Sequence, residues 1–473
     1  MAPPARPSAV TLRLLFISIE ISFMTALLQR WFNVRREEIG PLMASVFFFF
    51  CVLTALMVLR PARDALGMRR GMDDIRWLFV GTALVTLAVN PLFGWLVSRF
   101  QRITFITATY CFFAVSLVGF YALLTFAPQA VGETSGLVFY VWFSVFNLFC
   151  TMVFWALMAD RFNLEQSKRL FGVIAVGGTL GAIAGPWLAS QLAVPLGTPS
   201  LLLVAAGFLL LSVAAAWCVV VLHPDHAEPT LSAAEPVTDK AIIGGSAWEG
   251  IFAVFKSRYL LGISVYMLVL SIIATFIYFT RLQMVADLGT DTDKRAAILA
   301  RIDLITQVAT LVLQAIAAGH IMKRFGVPVA LALLPVLMVF GFLGLAIVSS
   351  LAVLIALDVT FKAVQRAIMR PARETLFTVM SRQDKYKSKA FTDTFVYRGG
   401  DMIGAWTEGL IGKFGAGLIG LASVAIPLTA AWAILGLWLG RHQRLLASTP
   451  LEPLPVDGLT MSANPQPPAE TTL

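Results

Sequence analysis

Charge is scarce in this sequence. Of its 473 residues only 13% are Asp, Glu, Lys or Arg, while 58% are hydrophobic and the mean hydropathy is +0.81; an ordinary soluble protein carries about twice that charged fraction. A soluble globular enzyme is thereby excluded. Residues that hold metals or attack substrates are equally few, with four histidines and four cysteines. His223 and His226 form an H-x-x-H without further ligands, and His320 and His442 stand alone, which is too little for a metal centre. Cys51, Cys111, Cys150 and Cys218 all fall inside apolar stretches and read as small hydrophobes, not as disulfide or ligand pairs. No Walker loop, nucleophile elbow or zinc spacing occurs. We therefore expect no metal, no cofactor, no catalytic residue and no enzyme.

Long apolar runs are what the chain has in abundance. A helix needs about 20 apolar residues to cross a bilayer core. Runs of that order lie near 39–60, 75–97, 103–127, 136–159, 170–192 and 200–222, then near 259–281, 297–319, 327–349, 350–369, 391–412 and 415–440. Twelve spans in two sets of six predict an all-α polytopic protein of the lipid bilayer. The tenth and eleventh carry charges that a lipid-facing helix tolerates poorly. Before the first span, Leu12 to Trp31 is apolar but interrupted by Arg13 and Glu20, which suits an interfacial helix and not a signal peptide. The expected divisions are 1–38 for that segment, 39–222 for a first six-helix bundle, 223–258 for a Pro- and acid-rich linker, 259–440 for a second bundle and 441–473 for a disordered tail.

Lys and Arg outnumber Asp and Glu by 36 to 27, a formal charge of +9. In a membrane chain such an excess marks cytoplasmic loops, and it argues against nucleic acid as a partner. With the N-terminus inside, the inner segments gather Arg35, Arg36, Arg99, Arg102, Lys168, Arg169, Lys323, Arg324, Arg382, Lys385, Lys387 and Lys389. The loops after spans three, five and nine have no Lys or Arg. Both termini are expected on the cytoplasmic side of a bacterial inner membrane. Two outward loops break the rule, one after span one (Arg60, Arg63, Arg69, Arg70, Arg76) and one after span seven (Arg281, Lys294, Arg295). They occupy equivalent places in the two halves.

The halves also echo one another in sequence. Gly94-Trp-Leu-Val-Ser-Arg99-Phe100 recurs as Gly319-His-Ile-Met-Lys-Arg324-Phe325 at an offset of 225 residues. Both resemble the G-x-x-x-D-R-x-G-R loop of the major facilitator superfamily, with Ser98 and Lys323 in place of its Asp. A second echo joins the end of span one, Leu59-Arg-Pro-Ala-Arg-Asp-Ala-Leu66, to the end of span ten, Met369-Arg-Pro-Ala-Arg-Glu-Thr-Leu376. In a fold of four inverted three-helix units, spans one, four, seven and ten are equivalent. The third helix of each unit contains no Asp, Glu, Lys or Arg, as outer, lipid-facing helices require.

Span ten holds the sharpest local feature. Asp358, Lys362, Arg366, Arg370 and Arg373 are spaced 4, 4, 4 and 3, one face of an α-helix. Either this stripe faces a wet cavity and suits an anionic ligand, or Asp358 and Lys362 simply pair and Arg370 and Arg373 belong to the inner loop. Arg366 has no acid at i±4 and resists the second reading. Guanidinium forks bind phosphate bidentately and keep their charge when desolvated, so Arg60, Arg63, Arg161 and Arg281 would extend an anion surface at both mouths of the path. Span eleven sets Thr394, Arg398, Asp401 and Glu408 near one face, and span eight sets Asp303, Gln307, Thr310 and Gln314. These are cavity walls or packing contacts with equal warrant. Asp358, Asp401 or Glu408 could carry a coupling proton. Gly177, Gly181 and Gly185, and Gly400 and Gly404, are spaced for close helix packing.

Three motifs then resemble one family, the nucleotide (ATP/ADP translocase-type) transporters, themselves major-facilitator-like. Leu59-Arg60-x-x-Arg63-Asp64-x-Leu66 is similar to its L-R-x-x-K-D-x-L, with the functional Lys falling on Arg63. Phe154-Trp155 followed by Glu165-x-x-Lys168-Arg169-x-Phe171 is similar to its F-W and E-A-K-R/K-F. Pro371-x-Arg373-Glu374-x-x-Phe377 followed by Lys385-x-Lys387-x-Lys389-Ala390-x-x-Asp393 is similar to P-x-K-E-x-x-Y and K-x-K-x-K-A-x-x-D, placing the substrate-contacting base on Arg373. The acids that the family carries in helices four and seven fall near Phe143 and Thr275 here. The resemblance implies a twelve-helix secondary transporter, working by alternating access, for an anionic small molecule such as a nucleotide or other phosphorylated metabolite. Arg60, Arg63, Asp64, Arg161, Arg281, Lys362, Arg366, Arg370, Arg373 and Glu374 are the expected substrate-binding set. The missing acids motivate an alternative, a membrane accessory or sensor protein that kept the fold without transport. A monomer satisfies either reading.

Overall fold

In hydrocarbon every unsatisfied backbone polar group costs several kcal/mol, so apolar runs resolve into helices that bond within themselves. The structure, a computed structural model, describes residues 34–69, 71–99, 102–222, 254–380, 388–389, 391–415 and 417–448. The expected interfacial helix up to residue 33, the linker at 223–253 and the tail from 449 lie outside the described residues. The first half consists of α1 (Ile39–Gly67), α2 (Met72–Arg99), α3 (Arg102–Phe126), α4 (Pro128–Arg161), α5 (Leu164–Leu196) and α6 (Ser200–Leu222). The second opens with α7 (Arg258–Ala286) and a long helical run, Thr292–Ile347, whose arms before and after Gly326 are α8 and α9. Gly326 adopts φ 76°, ψ 175°, a left-handed conformation suited to glycine that ends one helix and lets the next turn back. The tenth span, α10, combines Leu351–Val364, a π-helical turn Gln365–Met369 and Arg370–Thr375. A second π-helical turn, Thr392–Val396, leads into α11 (Tyr397–Lys413), and α12 is Gly417–Ser448.

Among the described residues nine helices are long and apolar enough to cross a membrane. α2, α10 and α11 are not among them; in the last two, charges and π-turns interrupt the apolar run. Each half has its own hydrophobic core. The first centres on Phe48, Tyr110, Phe139, Phe146 and Phe154, and the second on Tyr266, Phe276, Phe342, Phe361 and Trp432. A third core forms the seam between halves, and alanine is its commonest residue: Ala62 and Ala65 of α1, Ala189 and Ala193 of α5, and Ala296, Ala297 and Ala300 of α8. Small residues let backbones approach closely where lipid offers no hydrophobic drive for association. Accordingly α8 packs on α1 and α5 across the seam, and α2 packs on α11.

Glycine serves the same end within each half. A Cβ at Gly177 or Gly181 of α5 would collide with the α1 carbonyl oxygens of Val46 or Phe50, and one at Gly185 would sit 2.9 Å from that of Thr54. In the second half, a Cβ on Gly404 would lie 3.1 Å from the Ile272 carbonyl of α7. Both stripes therefore pack helices.

Candidate functional site

Charged residues meet where the halves join. Near the end of α1, Arg60-Pro61-Ala62-Arg63-Asp64 stays helical, Pro61 included, and turns Asp64 toward the second half. Arg281 of α7, 1% exposed at its side chain, touches a carboxylate from each of three helices: Asp303 of α8 at 3.0 Å, Asp64 at 3.3 Å and Asp358 of α10 at 3.5 Å. Lys362 of α10 pairs with Asp358 at 2.7 Å and approaches Asp303 at 3.9 Å. Arg60 stands 3.8 Å from the far oxygen of Asp303, and Arg366 donates to the Gln307 amide oxygen at 2.5 Å. Charges so buried persist only when paired and hydrogen-bonded. The pairing is incomplete in sign: Arg60, Arg63, Arg281, Lys362 and Arg366 face three carboxylates, an excess of two positive charges.

A polar cavity of about 380 Å³ opens beside this junction. Its walls include Arg60, Arg63, Asn147, Tyr278, Arg398 and Asp401. The Arg63 guanidinium is bound to Asp64 at 2.5 Å and lies 4.6 Å and 5.0 Å from the ring centres of Tyr140 and Phe143, so aromatic faces support it where water would otherwise be needed. Tyr278 donates to Asp64 at 2.9 Å and its oxygen is 2.9 Å from that of Tyr140. On the opposite wall Asp401 accepts from the Ser271 hydroxyl, from Thr275 at 3.4 Å and from Arg398 at 3.4 Å. Thr275 stands near the position at which the family resemblance places an acid in helix seven. Here the carboxylate touching it comes from α11.

The other expected residues form separate groups. At the face away from the termini, Arg76 pairs with Asp73 and with Glu408 at 2.6 Å, and donates to the Ala405 carbonyl at 3.2 Å. Trp77 meets Trp406 there at 5.2 Å, and Asp293 accepts at 2.6 Å from the Thr198 backbone N–H. These contacts join the halves. The neighbouring Asp291 caps α8, and the N–H groups of Lys294 and Asp293 hold its carboxyl below the ordinary carboxylate range. At the face of the termini, Arg373 reaches Glu374 at 2.8 Å, Asp393 at 3.5 Å and the Met267 sulfur at 3.1 Å, and Lys389 holds Glu374 at 2.5 Å. Arg161 is half-buried at the last position of α4, and Arg370 is exposed.

The structure thus brings together Arg60, Arg63, Asp64, Arg281, Asp358, Lys362 and Arg366, and places Asp401 across the cavity from them. It sets Glu408, Arg370, Arg373, Glu374 and Arg161 apart. The span-ten stripe divides because a π-turn bonds i to i+5 and shifts the phase of everything after it. Sequence reasoning passed over Tyr140 and Asn147, although Tyr140, Ser144 and Asn147 recur at i, i+4 and i+7 in an apolar helix, and met Phe143 only as the place of a missing acid. Among the described residues no cluster of His, Cys, Asp or Glu could hold a metal ion.

The sequence model of the Major Facilitator Superfamily matches residues 42–369. Among curated proteins none matches the sequence. Solved structures share the fold at low identity. A bacterial homologue of the iron transporter ferroportin, in an inward-facing state, has TM-score 0.59 at 11% identity over 86% of this chain and 98% of its own. A bacterial homologue of the human lysosomal transporter Spinster, inward-facing and unoccupied, has TM-score 0.53 at 13% identity over 88% and 98%. The nucleoside transporter NupG has TM-score 0.53 at 12% identity over 88% and 100%.

Proposed function

The chain belongs to the Major Facilitator Superfamily, as a membrane transporter and not an enzyme, and from that premise we propose that it moves an organic anion by alternating access. The observation carrying this reading is the excess of two positive charges at the junction of the halves, beside a polar cavity that Arg60, Arg63 and Arg398 help to line. Arginine supplies most of that charge, and its planar fork suits phosphate better than a sugar hydroxyl or a cation. A nucleotide or another phosphorylated metabolite is therefore the substrate class, in accord with the motif resemblance around Arg63 and Arg373. The two six-helix bundles, 39–222 and 259–440, rock about the cavity, joined by a linker at 223–258. The positive-inside pattern puts both termini in the cytoplasm, across a bacterial inner membrane.

In this reading Arg60 and Arg366 meet the anion, while Lys362 and Arg281 hold the acids that tie the halves together. The test is uptake of labelled ATP into cells expressing the protein, with unlabelled nucleotides, sugar phosphates and carboxylates as competitors and Arg366→Gln as control. Arg366-dependent uptake with phosphates as the effective competitors supports it. Uptake untouched by Arg366→Gln and by Arg63→Gln would remove these residues from the site.

Phe143 and Thr275, near the positions where the nucleotide-transporter family that the motifs resemble carries acids, favour one alternative, a sensor or accessory protein that binds the anion without moving it. That reading predicts ATP binding to the detergent-solubilised protein and no flux in sealed vesicles.

A further inference from the structure

The bases that crowd the face away from the termini are not all used by the junction. Arg60, Arg63 and Arg281 belong to it, Arg76 is held by Asp73 and Glu408, and Lys294 pairs with Asp291 at 3.6 Å. Arg70 lies outside the described residues. Arg69 and Arg295 remain, and among the described residues their partners are neutral. Arg69, just past the end of α1, donates from Nε to the Thr292 hydroxyl at 3.3 Å. Arg295, in the first turn of α8, donates to the carbonyls of Gly289 at 2.8 Å and Ala286 at 3.1 Å, which satisfies the end of α7 and fixes the guanidinium in place. A guanidinium has five N–H donors, so most of those on both side chains are left to solvent or to a ligand.

These two arginines, one from each half, line a single cleft of about 440 Å³ that shares no wall residue with the central cavity. Met68 and Met72 give it an apolar side, Gln283 and Thr290 add an amide and a hydroxyl, and among the described residues no Asp or Glu lines it. Nearby acids are engaged elsewhere: Asp73 and Glu408 by Arg76, Asp293 by Thr198, Asp291 by the start of α8 and Asp287 by the Gln283 amide at 2.8 Å. We propose that this cleft is a second anion site, which takes a phosphate group between Arg69 and Arg295. Two guanidinium forks present more donors than the two oxygens of a carboxylate can accept in parallel pairs, whereas a phosphate has oxygens for both. The inference goes beyond the central site and does not depend on what that site carries.

The test uses the full chain in nanodiscs, with inorganic pyrophosphate as the probe. Thr290→Cys, in the cleft wall, is labelled with a membrane-impermeant charged maleimide, and the parent, whose own cysteines lie within helices, gives the background. In phosphatidylcholine discs millimolar pyrophosphate should slow labelling several-fold. Arg69→Gln with Arg295→Gln should abolish that protection, and Arg366→Gln, in the central cavity, should leave it intact. Arg69→Gln alone, at an exposed position, should weaken it and keeps the test open if the double variant does not fold. Discs containing phosphatidylglycerol separate the two sources of phosphate. Labelling that is slow there without pyrophosphate, and restored by the double variant, upholds the site with a lipid headgroup in it; pyrophosphate protection alike in both lipids upholds it for a soluble phosphate. If pyrophosphate protects in neither lipid and phosphatidylglycerol changes nothing, the site is overturned. Protection that survives the double variant, or that vanishes with Arg366→Gln, overturns it as well, because the anion then acts from somewhere else.

Discussion

Arg281 and Arg366 carry the same charge to the same junction, from α7 and α10, and their surroundings differ in kind. Arg281 is enclosed and holds three carboxylates from three helices. Arg366, half-buried, faces a neutral amide. A buried guanidinium neutralised on every side is a structural tie, and its charge is already used within the protein. A guanidinium opposite an amide keeps an uncompensated charge to offer a visiting anion. Burial and partner therefore separate the residue that holds the halves together from the one that is available to a ligand, where residue type alone could not.

Arg281→Met breaks this comparison most severely. It leaves Asp64, Asp303 and Asp358 facing one another without their common partner, and removing one member of a buried charge pair costs about 3–5 kcal/mol. The expected outcome is a large fall in folded yield and in thermal stability in detergent. Arg366→Gln should do the reverse, leaving thermal stability near that of the parent while weakening anion binding by about 10- to 150-fold, the range expected for a charged hydrogen bond of about 1.5–3 kcal/mol. Arg366→Lys sharpens the contrast. It keeps the charge but loses the fork, so a phosphate should bind several-fold more weakly, as titration calorimetry would show.

How much of this was visible in the sequence follows the range of each interaction. Helices and their number are local, and the apolar runs foretold them, including the separation of α8 from α9 that Gly326 enforces. The charges of span ten were conspicuous because they recur every fourth residue, but the π-turn at Gln365–Met369 has no pattern that marks it, so their division into two groups was not. Arg281 stood out as an exception in a loop and as a base for substrate, not as the tie between three acids that it forms. Its partners Asp64 and Asp303 lie 217 and 22 residues away, and no periodicity connects them. The support that Tyr140 and Phe143 give Arg63 was hidden for a different reason: an aromatic in an apolar helix looks the same whether it faces lipid or supports a guanidinium.

The smallest effects distinguish the two tyrosines at the edge of the junction. Tyr278 donates its one hydroxyl proton to Asp64, so in the 2.9 Å contact between the two hydroxyls Tyr140 must be the donor. Tyr278→Phe thus removes a hydrogen bond to a buried carboxylate and also strands the Tyr140 hydroxyl, whereas Tyr140→Phe removes only the last donor in the chain. Bonds to charged groups contribute about 1.5–3 kcal/mol and neutral ones about 0.5–1.5 kcal/mol. Tyr278→Phe should therefore lower stability two- to three-fold more than Tyr140→Phe in denaturation measured in the same detergent. In the Arg281→Met background that order should compress, because a tie already broken leaves Tyr278 less to hold; equal effects of the two tyrosines in the parent would show that the chain of donors does not run toward Asp64.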